Sequence, residues 1–128
     1  MITPEDFRKI MIRTGKKPPR PVMAVKALKN SLFTVGIYDG DEIIGFARVC
    51  GDDAICYIIS DVMIDSRISQ RDKIVMLILK KLDEYLKTVM KKESKVFFFA
   101  DKEFEDICRS MGFKYADGDF HNMMYRKA

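Results

Sequence analysis

The chain has 128 residues, 48% of them apolar and 33% charged, with a formal net charge of +4. Those figures describe one ordinary globular domain, long enough to bury a core. They exclude a membrane-spanning segment, and the scatter of bases among acids excludes a nucleic-acid footprint while leaving room for an anionic small ligand.

Thr3-Pro4-Glu5-Asp6 reads as a helix start: a hydroxyl cap, a proline in the first turn and acids at the positive end of the dipole. Phe7, Ile10 and Met11 follow at helical spacing, and the prolines of GKKPPRP (15–21) end the helix. VMAVKALKNS (22–31) predicts a second short helix. The period then changes. LFTVGIYD (32–39) and IIGFARVCG (43–51) are β-branched and aromatic, and the DGDE between them signals a hairpin. DAICYIISDVMID (53–65) is apolar enough for one bent strand or two. QRDKIVMLILKKLDEYLKTVMKK (70–92) predicts a long helix with Ile74, Ile78, Leu82, Tyr85, Leu86 and Val89 on its inner face and Lys80, Lys81, Asp83, Glu84 and Lys87 outside. Ser69-Gln70-Arg71-Asp72 at its start reads as a capping box, with Asp in place of the usual Glu. KVFFFA (95–100) predicts a buried strand. KEFEDICRSMGF (102–113) is a short helix closed by Gly112, and 114–127 a final hairpin turning near Asp117-Gly118. Met76, Met90, Met111, Met123 and Met124 are expected to fill the core.

This order gives an α+β fold over 1–128, three-layered α/β/α around a mixed, mostly antiparallel sheet. The helix between 54–64 and 95–100 makes those two strands parallel neighbours. Cys50, Cys56 and Cys108 form no disulfide framework and no CxxC pair, and His121 alone cannot build a histidine-rich site, so no metal is expected. MITPEDFRKIM lacks the layout of a signal peptide, and the expected setting is the reduced cytoplasm.

Four stretches together resemble the GNAT N-acetyltransferase superfamily from about residue 22 onward: LFTVGIYDGDEIIGFARV, SDVMI, FFFADKEFEDICRSMGF and the terminal hairpin. The resemblance implies transfer of an acetyl group from acetyl-CoA to a small-molecule or peptide amine. It implies that the pantetheine arm lies along Val62, Met63 and Ile64, where that strand splays from Phe97-Phe98-Phe99. It also implies that the pyrophosphate rests at the start of the long helix. The family's glycine-bearing loop would begin at Gln70, with Lys73 and Val75 at the small positions, or at Ser69, with Asp72 and Ile74 there. No glycine occurs between Gly51 and Gly112, so Arg67, Arg71 and Lys73 are the expected phosphate contacts, through their side chains.

Asp61, an acid interrupting an apolar run, is the candidate base. Cys108 stands five residues before Phe113, where the family often has a tyrosine acid. Tyr38, Tyr57 and His121 are candidates for the acceptor side. The missing glycines, Asp72 and the absent tyrosine motivate a second expectation, a non-catalytic binding module of the same fold. A third is use of another acyl donor. Members of the family often form homodimers, but no exposed apolar stripe decides that here.

Overall fold

Successive side chains of each strand point to opposite faces of the sheet, so each face meets its own helical layer. The computed structural model describes residues 2–115 together with 124, 126 and 127. Helices α1 (Pro4–Arg13) and α2 (Pro21–Asn30) precede strands β1 (Phe33–Asp39), β2 (Glu42–Gly51) and β3 (Cys56–Ile64). Helix α3 (Arg71–Val89), strand β4 (Lys95–Phe98), a 3-10 turn (Lys102–Phe104) and helix α4 (Glu105–Ser110) follow. The strands lie in the order β1-β2-β3-β4, antiparallel except for the parallel β3–β4 pair that the sequence predicts. The hairpin expected around Asp117-Gly118, with His121 and Met123, lies outside the described residues.

Two apolar cores sandwich the sheet. Under α1 and α2, Phe7, Ile10, Met11 and Ala24 pack on Ile43, Phe46 and Met63, with Phe7 and Phe46 rings 4.8 Å apart. On the other face, Val75, Ile78, Leu79, Leu82 and Leu86 of α3 cover Val49, Tyr57, Ile59, Val62 and Ile64. Thr3 caps α1 by accepting from the Asp6 amide at 3.0 Å. Gly112, at φ 91°, ends α4 in a Schellman arrangement: its N–H donates to the Arg109 carbonyl and that of Phe113 to the Cys108 carbonyl.

Four expectations need correction. The capping box does not form: α3 begins after Gln70, which makes no side-chain cap bond, and Ser69 is exposed. The chain there is governed by Asp65, whose carbonyl accepts from the Ile68 amide and whose carboxylate accepts from the Arg67 amide. β4 is not buried on both faces. Val96 and Phe98 pack inward, but Phe97 and Phe99 are exposed, because β4 is the edge of the described sheet. Met76 and Met124 are exposed rather than core residues, Met76 because it falls on the outer face of α3. Val75 and Leu79 join the inner face of α3, while Ile74, Tyr85 and Val89 line its margin.

Candidate functional site

The apolar run 53–65 is a single strand with one extra residue in it. Phe46 pairs with Met63 but Arg48 with Ser60, so Ala47 faces both Asp61 and Val62. This is a β-bulge, and Asp61 adopts a left-handed φ of 56° there, a conformation that Asp tolerates better than most residues. The bulge re-phases the strand. Tyr57 and Ile59 before it, and Val62 and Ile64 after it, all reach the α3 core despite the change of parity.

The bulge also marks where β4 leaves. The β3–β4 register runs from Cys56↔Lys95 to Ile59↔Phe98, and the last rung is the Phe99 amide donating to the Ile59 carbonyl at 3.4 Å. The splay therefore does not run along Phe97-Phe98-Phe99 as expected: Phe97 and Phe98 are paired with Ile58 and Ile59, Phe99 donates to Ile59, and among the described residues the gap opens beside Ser60–Ile64, after that pairing ends. The Asp65 amide donates to the Ile44 carbonyl on the β2 side. By alternation, Ile64 and Val62 turn their backbone groups into the gap.

Arg71 spans the end of that gap. Its Nη1 donates to the carbonyls of Ile64 and Asp65 at 3.5 and 3.2 Å. Its Nε and Nη2 donate to the two carboxylate oxygens of Glu103 at 2.5 and 3.2 Å, and its guanidinium lies 5.8 Å from the centre of the Phe104 ring. The Arg71 hydrogen bond holds the Glu103 carboxyl below its ordinary pKa. Lys73, one turn into α3, is exposed and makes no ion pair among the described residues. Gln70 and Ser69 are exposed beside it. Arg67 is committed elsewhere, to the fully buried Asp65, with Nη2 2.6 Å from Oδ2.

Asp61 projects toward α2. Arg48 Nε donates to Asp61 Oδ2 at 2.6 Å, and its Nη1 donates to Ser31 Oγ and the Ala27 carbonyl. Cys108 lies on α4 in the α3 core, 4% exposed, and burial pushes its thiol pKa up. Tyr57 is a core residue whose hydroxyl donates to Asp53, and burial, then that bond, push it up to about 12. Tyr38 sits across the sheet on β1, donating to Asp6. It lines a groove of about 580 Å³ with Ile2, Lys29 and Thr34, at the opposite edge from the gap. The structure thus gathers Val62, Met63, Ile64, Arg71 and Lys73 around one end of the gap and Asp61 at its bulge, and leaves Cys108 inside the core. Sequence reasoning missed Arg48 and Glu103. Arg48 carried a signal, a charge within an otherwise apolar strand; Glu103 carried none. Among the described residues no cluster of three or more His, Cys, Asp or Glu could hold a metal ion, and no helix is long and apolar enough to cross a membrane.

No protein-family model matches the sequence, and no curated protein does. Solved structures do match. SA2161 of methicillin-resistant Staphylococcus aureus, a protein of unknown function described as a probable acetyltransferase, is 30% identical with a TM-score of 0.83, over 98% of this chain and 93% of that one. SP0256 of Streptococcus pneumoniae, a GNAT-family acetyltransferase, is 20% identical with a TM-score of 0.72, over 99% and 92%. An aminoglycoside 6'-acetyltransferase type Ii is 13% identical with a TM-score of 0.67, over 88% and 76%. The last two establish likeness of fold. With the S. aureus protein matched along nearly all of both chains, and with the bulged strand and the parted sheet in place, the chain belongs to the GNAT superfamily.

Proposed function

We propose that the protein is an N-acetyltransferase that moves an acetyl group from acetyl-CoA to a small-molecule or peptide amine. The observation that carries this reading is the coincidence of the Asp61 bulge with the end of β3–β4 pairing, which leaves Val62 and Ile64, held on the other side by β2, with no strand beside them on the β4 side among the described residues. A pantetheine arm has amides of the right kind to pair with them. At the far end, the first N–H groups of α3 have no side-chain cap, so they remain donors for an anion, and Arg71 and Lys73 add charge. The absence of glycine means that phosphates are held chiefly by these side chains rather than by close backbone approach. Asp72, exposed in the first turn, opposes them.

Acetyl-CoA supplies an activated thioester. The chain's own residues do the rest. A backbone N–H near Met63 polarises the carbonyl. Arg48 occupies only Oδ2 of Asp61, which leaves Oδ1 to attract the acceptor ammonium and to take its proton through a water. The proton returned to sulfur comes from water rather than Cys108, whose thiol is enclosed by the core. Three free cysteines support a reduced, cytoplasmic setting.

Calorimetric titration with acetyl-CoA at moderate salt tests the reading. Micromolar binding that weakens in Lys73→Glu is the expected result. Absence of both heat and thermal shift would instead favour a non-catalytic module of the same fold.

A further inference from the structure

Arg71 is the cation best placed to meet a phosphate at the end of the gap, yet it already has an anion. The two oxygens of Glu103 take its Nε and Nη2, the fork geometry in which a guanidinium also binds a phosphate. We propose that Glu103 is a built-in competitor for Arg71, so that a ligand bearing two adjacent phosphates engages the site only by displacing this carboxylate. The proposal rests on reading the gap as the phosphate end of a CoA site.

The geometry favours exchange over permanent closure. Arg71 is anchored independently of Glu103, by the Ile64 and Asp65 carbonyls and by the Phe104 ring. Only Glu103 need leave, and the guanidinium can stay where it is. The pair is also open to water: the side chains are 29% and 47% exposed. An ion pair this open to water is screened and holds less firmly than a buried one, even with fork geometry. A diphosphate brings more charge than one carboxylate and can reach Lys73 as well, so it outcompetes Glu103 where a monoanion does not. Glu103 would then be a positioning residue that sets a charge threshold for entry.

A purely structural Arg71–Glu103 pair, fastening the 3-10 turn to α3, makes the opposite prediction. Breaking it would loosen the site and weaken binding. The test is calorimetric titration with inorganic pyrophosphate of the wild type, Glu103→Gln, Glu103→Asp and the double variant Arg71→Gln/Glu103→Gln, with acetyl-CoA titrated in parallel. Freeing one charge-assisted contact should tighten pyrophosphate binding about tenfold in Glu103→Gln. Glu103→Asp should stay near the wild type, and the double variant should lose the gain. Pyrophosphate binding in Glu103→Gln that is absent, unchanged or weaker than in the wild type overturns the proposal. If acetyl-CoA binds the wild type but Glu103→Gln brings no gain, this inference fails and the proposed function stands. If Glu103→Gln gains pyrophosphate affinity while acetyl-CoA binds no better than pyrophosphate itself, the competitor is real and the transferase reading falls.

Discussion

At Asp61 the backbone turns through φ 56°, which costs a residue with a Cβ about 1–2 kcal/mol, while the carboxylate holds Arg48. The two roles can be separated. Asp61→Gly and Asp61→Ala both lose the ion pair, but only Ala keeps the steric penalty. In urea unfolding, the Ala variant should be the less stable of the two by about 1 kcal/mol. Equal stabilities would mean that the bulge relaxes when the carboxylate is removed. Asp65 poses a different problem, a fully buried carboxylate. The Arg67 side-chain hydrogen bond, followed in effect by its amide and the charges of Arg67 and Arg13, lowers the carboxyl pKa against the opposing effect of burial. A depressed native pKa means that the stabilising contribution is present above the unfolded value of about 3.9 and is lost as pH falls through the lower native value. Asp65→Asn should cost about 1–3 kcal/mol at neutral pH and should flatten the acid limb of the stability profile. An acid limb unchanged in the variant would locate that titration elsewhere.

β3 is two half-strands joined by the bulge, and its amides should report the join. Tyr57 and Ile59 share the parity of the Ile59 carbonyl that β4 uses, whereas Val62 and Ile64 face the gap. In the ligand-free protein, hydrogen exchange at Val62 and Ile64 should therefore outpace that at Tyr57 and Ile59, and acetyl-CoA should slow the first pair selectively. Uniform protection along the strand would mean that the gap is closed in solution. Much at this scale was legible in the sequence. The β-branched and aromatic content of LFTVGIYD and IIGFARVCG, with the hairpin signal between them, announced β1 and β2, and Thr3 and Gly112 announced helix ends. What was not legible depended on distance along the chain. Ser69-Gln70-Arg71-Asp72 satisfies a local rule for a capping box, but Asp65 and Arg67 set the turn before it and move the helix start past Ser69. Glu103 lies 32 residues from Arg71, and no periodicity links them.

For the whole molecule, the sheet keeps its two cores on opposite faces, and the proposed site lies where β3–β4 pairing ends among the described residues. The parallel step from β3 to β4 could be foreseen because a helix intervenes and crossovers of that kind return in parallel. The exposure of Phe97 and Phe99 could not, since an apolar run of that length reads the same whether its strand is central or at an edge. Pairing ends before Val62-Met63-Ile64, as expected, but Phe97 and Phe98, expected in the gap, are paired instead. Of the gap's lining charges Arg71 was foreseen and Glu103 was not, because Arg71 bridges segments far apart in the chain.

The bulge makes β3 a strand whose two halves are written in opposite phase. Deleting Asp61, rather than replacing it, would set Val62 directly after Ser60, and unbroken alternation would still send Val62 and Ile64 to the α3 core and Met63 toward α1 and α2. Both cores would stay filled, and what would vanish is the left-handed turn and the Arg48 ion pair. One more residue elsewhere in β3, with no bulge to absorb it, would instead exchange every destination beyond it. Length variation within this strand should therefore be tolerated at position 61 and nowhere else.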